Sequence, residues 1–135
     1  MQSGMTIGRL AEAAGINVET IRYYQRRGLL DEPRKPLGGH RRYPPDAVRT
    51  LAFIRRAQQL GFSLEEVKSL LALARGSNAK ATRALAEAKY ELLGTRVAQL
   101  NKMRKQLERL IAASKRARDG ADPMIDALFS ENDLD

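Results

Sequence analysis

From about Ala79 to Ala117 nothing in the sequence interrupts a helix: there is no proline, a single glycine (Gly94), and an apolar stripe at heptad spacing. Tyr90, Val97, Arg104 and Ile111 share one position of the repeat; Ala86, Leu93, Leu100, Leu107 and Ser114 share the other. Leu85, Leu92, Met103 and Leu110 widen the stripe. A chain of 135 residues has little protein left to cover so long a face. The stripe calls for a partner helix, most simply its copy in a second subunit. Tyr90, Leu93, Val97, Leu100, Leu107 and Ile111 are the expected contacts of that homodimer. The alternative is a helix bent near Gly94 that folds back on its own domain.

Upstream, the signals are those of short capped helices. Thr6 is a good N-cap for a helix ending at Gly15, where a tight turn demands the left-handed backbone that glycine tolerates. Asn17 caps a second helix, Val18 to about Arg27, closed by Gly28. Two short helices joined through a glycine turn make a helix-turn-helix signature. Leu29 to Tyr43 holds Pro33, Pro36, Gly38 and Gly39 and reads as a two-stranded hairpin, a wing, turning at Gly38-Gly39. Pro44-Pro45 starts a third helix reaching about Leu60. Ser63-Leu64-Glu65-Glu66 is a capping box opening a fourth, to about Ala74, with Leu64, Val67, Leu70 and Leu71 on one face. Gly76-Ser77 is a linker, and Pro123 to Phe129 has room for one or two helical turns presenting Ile125, Leu128 and Phe129.

Charge points to the partner. The net charge is +8, and residues 1–76 hold 13 of the 24 lysines and arginines against 7 acidic residues. Arg22, Arg26, Arg27, Arg34, Lys35, Arg41 and Arg42 face only Asp31 and Glu32 in one stretch. A local basic footprint on a capped second helix beside a basic wing suits a polyanion, double-stranded DNA first. On the second helix, Ile21 lies one turn before Tyr24 and faces the domain core. Glu19, Thr20, Arg22, Tyr23 and Arg26 occupy the remaining faces, where guanidinium and phenol groups reach base edges and phosphates. The wing adds His40, Arg41 and Arg42 as donors. His40 is the only histidine and, beside two arginines, a poor metal ligand.

Several classes are excluded. With no cysteine there are no disulfides, thiolate metal sites, iron–sulfur clusters or cysteine nucleophiles. No paired carboxylates in an apolar setting, nucleophile–base constellation or phosphate loop is present, so neither an enzyme nor a cofactor is expected. The N-terminus lacks an apolar signal core and no run reaches membrane-spanning length, so a cytoplasmic protein with no membrane partner is expected. Asp119, Asp122, Asp126, Glu131, Asp133 and Asp135 cluster, but their spacing matches no calcium loop; no metal site is expected there. The basic end of the long helix, with Lys102, Arg104, Lys105, Arg109, Lys115, Arg116 and Arg118, reads as a solvated face that complements the helix dipole. A second nucleic-acid surface is the less favoured reading of it.

The ordered motifs Thr6 to Gly15, Asn17 to Tyr24, Gly28-Leu29-Leu30, Gly39-His40-Arg41-Arg42-Tyr43 and Leu60 to Glu66 resemble the MerR family of bacterial transcription regulators. The likeness is strongest to its mercury-responsive members and runs through the long helix to Pro123. The resemblance implies a mainly α fold: a winged helix-turn-helix DNA-binding domain followed by a long antiparallel coiled-coil dimerisation helix. The corresponding spans are 5–75, 76–118 and a short C-terminal segment, 119–135. It implies binding to an inverted repeat in promoter DNA, bent and untwisted so that RNA polymerase, sharing that DNA, can use it. By motif match Thr20, Arg22, Tyr23 and Tyr24 are recognition-helix contacts, and Arg41, Arg42 and Tyr43 belong to the wing. The mercury-responsive members carry three cysteines where this chain aligns Ala79, Ser114 and Asp122, so thiolate-based metal sensing is not expected. The effector is unknown, and an effector-independent architectural protein, akin to an excisionase, is the alternative.

Overall fold

Six helices, in chain order, carry nearly all the regular structure of the computed structural model, which describes residues 4–34, 39, 41–76 and 78–130. They are α1 (Ile7–Ala14), α2 (Val18–Arg26), α3 (Asp46–Gln59), α4 (Leu64–Gly76), α5 (Ala79–Arg116) and α6 (Pro123–Phe129). Among the described residues β pairing is confined to one antiparallel bridge, Met5 with Tyr43, whose N–H and C=O groups bond reciprocally at 2.8 Å. The turn expected at Gly38-Gly39 falls largely on residues 35–38 and 40, which lie outside the described residues. The chain divides into two units, Met1–Ala86 and Glu87–Asp135.

The ends of the helices follow the caps written in the sequence. Thr6 Oγ1 accepts from the Arg9 amide at 3.2 Å, and Asn17 Oδ1 accepts from the Thr20 amide at 2.8 Å, satisfying donors that a helix start otherwise leaves orphaned. Gly15 sits at φ 70° and Gly28 at φ 75°, conformations that would strain any other residue. Ser63 and Glu66 complete the capping box in both directions: the Ser63 amide donates to Glu66 Oε1 at 2.8 Å, and the Glu66 amide donates to Ser63 Oγ at 3.2 Å. α5 is helical without a break through Gly94.

In the first unit α1 packs on α2 and α3, and α3 on α4. Leu10, Ile21, Leu51, Ile54 and Val67 are wholly buried at their centre, with Tyr24, Leu29 and Tyr43 closing the edges. Each aliphatic side chain removed from water contributes about 1.5–3 kcal/mol, so this one cluster sets the angle at which α2 is held. Polar ties finish the job where apolar surface runs out. Arg55 Nη1 on α3 donates to the carbonyls of Ala14 and Gly15 at 3.2 and 3.3 Å, filling acceptors at the end of α1. The Tyr24 hydroxyl donates to Gln58 Oε1 at 3.0 Å. The first turns of α5 join this unit, where Leu85 packs against the core.

In the second unit α5 leaves its stripe uncovered within the chain. Tyr90 is 77% exposed, and Val97 and Leu100 are each 56% exposed. Leu93, Leu107 and Ile111 are also exposed, as are Ile125, Leu128 and Phe129 of α6. Among the described residues no helix is long and apolar enough to cross a membrane.

Burial raises the Tyr24 phenol above its ordinary value of 10.0, with the nearby Arg55 charge opposing that rise. The neutral phenol therefore contributes its full share of stability below the unfolded value and loses it as pH rises through the raised folded one. Tyr24→Phe is expected to cost about 1 kcal/mol at neutral pH, from the lost bond to Gln58. Thermal unfolding followed from about pH 9 to about pH 11 should show the parent losing ground on the variant. A parallel decline would sink the assignment.

Candidate nucleic-acid interface

α2 has nine residues and two opposed duties. Ile21 and Tyr24, three apart, fall on its buried edge, so Arg22, Tyr23 and Arg26 are turned outward by helical geometry alone. Arg22 is exposed and its Nη1 bonds Glu19 Oε1 at 3.0 Å, one turn earlier. Tyr23 is 39% exposed, with the guanidinium carbons of Arg26 and Arg27 at 5.9 and 5.8 Å from its ring centroid. Thr20 is half-buried, and its hydroxyl donates to Asn17 Oδ1 at 2.9 Å, reinforcing the cap.

Beside α2 runs the root of the wing. Arg41 and Arg42 are exposed, and Arg41 Nε bonds Glu32 Oε1 at 2.9 Å, holding the incoming and outgoing arms of the segment together. Arg22 and Arg26 from α2 and Arg41 from the wing root line one cleft of about 570 Å³, shared with Thr6, Gln25, Tyr43 and the acidic Glu32 that pairs with Arg41. Guanidinium groups of this kind grip phosphate oxygens or guanine edges through paired N–H groups. Arg26 has no acidic partner among the described residues, leaving its N–H groups available to an anion.

Two of the expected contacts are corrected by burial. Tyr24 is 6% exposed and Tyr43 2% exposed; both rings belong to the core, and Tyr43 reaches the cleft only at its edge. The Tyr43 hydroxyl accepts from Gln25 Nε2, and its backbone is held in the bridge to Met5. Both tyrosines support the reading surface from beneath: one anchors α2, the other the wing root. His40 lies outside the described residues.

Sequence reasoning passed over Gln25, Glu32 and Glu65. Gln25 adjoins the buried edge at Tyr24, and that adjacency was its only local signal. Glu32 and Glu65 reach their arginines across the fold, Glu65 from a position 38 residues away from Arg27. Arg27 Nη2 donates to Glu65 Oε1 at 2.9 Å and Nη1 donates to the Tyr23 hydroxyl at 3.1 Å. The carboxylate of Glu65 foremost, then Tyr23, pushes the Arg27 guanidinium above its already high ordinary value, so it stays charged.

Comparison with known proteins places this geometry. Residues 5–74 match the model of the MerR HTH family regulatory proteins, and residues 48–110 match a model described as MerR, DNA binding. The mercuric resistance operon regulatory protein of Shigella flexneri is 45% identical over 132 residues, covering 96% of this chain and 91% of that one. Its counterpart from Pseudomonas fluorescens is 47% identical over 109 residues, covering 81% and 76%. Among solved structures, the transcription regulator PbrR691 from Ralstonia metallidurans CH34, in complex with lead(II), superposes with a TM-score of 0.83 at 28% identity. That superposition covers 92% of this chain and 98% of the other.

The division between supporting and presenting residues is open to a direct check. Removing the buried ring in Tyr43→Ala should lower the unfolding free energy by roughly 3–5 kcal/mol, whereas Arg42→Ala should change it by no more than about 0.5 kcal/mol. Chemical denaturation of the two variants measures both. Equal effects would contradict the placement.

Proposed function

The chain belongs to the MerR family of HTH regulatory proteins, DNA-binding transcriptional regulators, and from that premise we propose that it acts as a homodimer on promoter DNA carrying an inverted repeat. The observation that carries the reading is the meeting of Arg22, Arg26 and Arg41 at one cleft, where α2 and the wing root present cations to the same face. Arg22, Tyr23 and Arg26 enter the major groove or its margins with α2, while Arg41 and Arg42 hold the flanking backbone.

Dimerisation is supported by the stripe on α5. Tyr90, Leu93, Val97, Leu100, Leu107 and Ile111 keep between 38% and 77% of their surface exposed, and an antiparallel copy of α5 would cover them. A twofold dimer carries two α2 helices, which is why the operator is expected to be an inverted repeat. Bending and untwisting the DNA between half-sites then changes the promoter's shape for RNA polymerase without a contact to the polymerase itself. The setting for this work is the bacterial cytoplasm.

The response does not run through thiolates. Ala79, Ser114 and Asp122 stand where the mercury-responsive members carry cysteines, and Asp122 is spent as the N-cap of α6, accepting from the Ile125 amide at 3.2 Å. Mercury, lead and cadmium are held by thiolates, which a chain without cysteine cannot supply. The shared architecture is kept here with a different effector, or none.

Selection of genomic fragments by the purified protein, followed by footprinting, tests the reading; scattered sites without a dyad would refute it. Arg22→Ala and Arg26→Ala should each weaken operator binding and lower the slope of log K against log salt by about 1. Leu100→Glu or Leu107→Glu should convert a species of two chains into one of single-chain mass by light scattering. Calorimetric titration with Hg(II) should show no tight stoichiometric site; one site per dimer would overturn that part.

A further inference from the structure

The Arg27–Glu65 pair joins the end of α2 to the first turn of α4, yet both side chains are open to water, at 40% and 75% exposure. Exposed pairs of this kind contribute little to stability. The pair does something else: it spends one arm of the Arg27 fork on Glu65 and aims the other at Tyr23. A tyrosine hydroxyl has one proton to donate and lone pairs to accept with. With the Arg27 N–H on its acceptor side, the hydroxyl proton turns away from Arg27, toward the open face of α2. The ring is held as well, by the Arg26 and Arg27 guanidiniums on it.

We propose that Glu65 is a positioning residue for DNA binding: it fixes Arg27, and Arg27 fixes the Tyr23 hydroxyl as a donor to a backbone phosphate. The proposal rests on the reading that the outward face of α2 meets DNA. It makes a prediction of unusual sign. A carboxylate near a DNA-binding face repels the polyanion, so removing its charge should tighten binding by Coulomb's law alone. If Glu65 merely complemented the dipole of α4, its loss would touch stability and leave DNA alone or help it. As a positioning residue, Glu65 strengthens binding in spite of its charge. Arginine is required at 27 because its planar fork makes two bonds at once; the single ammonium of lysine keeps the charge and loses the bridge.

The experiment measures the affinity of the full chain for a duplex enriched from a random-sequence pool by the unmodified protein, at several salt concentrations. Tyr23→Phe, Arg27→Lys and Glu65→Gln should each weaken binding by about five- to tenfold, the size of one solvent-exposed hydrogen bond. Tyr23→Phe with Arg27→Lys should be no weaker than Tyr23→Phe alone, because the two act on one contact. For Arg27→Lys the salt slope should stay unchanged, and every thermal midpoint should stay within about 2 °C of the parent. Tighter or equal binding by Glu65→Gln, or multiplying losses in the double variant, overturns the proposal while the DNA reading stands. Loss in Tyr23→Phe with none in Arg27→Lys does the same. An unaffected Tyr23→Phe removes Tyr23 as a contact and the proposal with it, and a parent that enriches no duplex defeats the DNA reading itself.

Discussion

Everything on the reading surface depends on α2 having a fixed roll about its own axis. A nine-residue helix is too short to be stable alone, and a small rotation would swap its charged edge for its apolar one. The roll is set by two side chains, Ile21 and Tyr24, pressed into a core that α1, α3 and α4 have already shaped. Once those are seated, the outward direction of Arg22, Tyr23 and Arg26 is a geometric consequence. The arginines need no special support to face outward, only support to keep a particular rotamer.

That second kind of support is polar and comes from carboxylates both near and far in sequence. Glu32 steadies Arg41, Glu19 steadies Arg22, and Glu65 steadies Arg27. The surface is accordingly not a bare field of positive charge but a set of cations with defined directions. An unpaired arginine pays for its ordering in side-chain entropy when DNA arrives; a tethered one has lost part of that freedom beforehand. Arg26 is the contrasting case, held by stacking on Tyr23.

How legible this was depends on sequence distance. Thr6, Asn17 and the Ser63–Glu66 box each act within a turn of themselves, so their helix starts could be read directly and the structure places them there. The 38-residue α5 was legible for the same reason, as an unbroken period. Tyr24 is more instructive. Its spacing from Ile21 put it on the buried edge, where the structure has it, while the motif match that assigned it to DNA reports a kinship and not a face. Tyr43 had no such local cue. Its burial goes with pairing to Met5, a contact made across 38 residues, and the same distance hid the Arg27–Glu65 bridge.

The Met5–Tyr43 bridge also bears on the order in which the domain assembles. Closing a loop between residues 5 and 43 costs chain entropy that burial of Tyr43 and its bonds to Met5 and Gln25 must offset, whereas the α1–α2 corner closes within a few residues. Contacts inside the α1–α2 corner close short loops, whereas those to Leu51, Ile54, Val67 and Tyr43 all close long ones. The two halves of the cleft, α2 and Arg41, become neighbours only through such long-range contacts. Competence to grip a polyanion thus arrives with completion of the domain, and a half-folded chain still on the ribosome has no finished cleft with which to hold the nucleic acid around it.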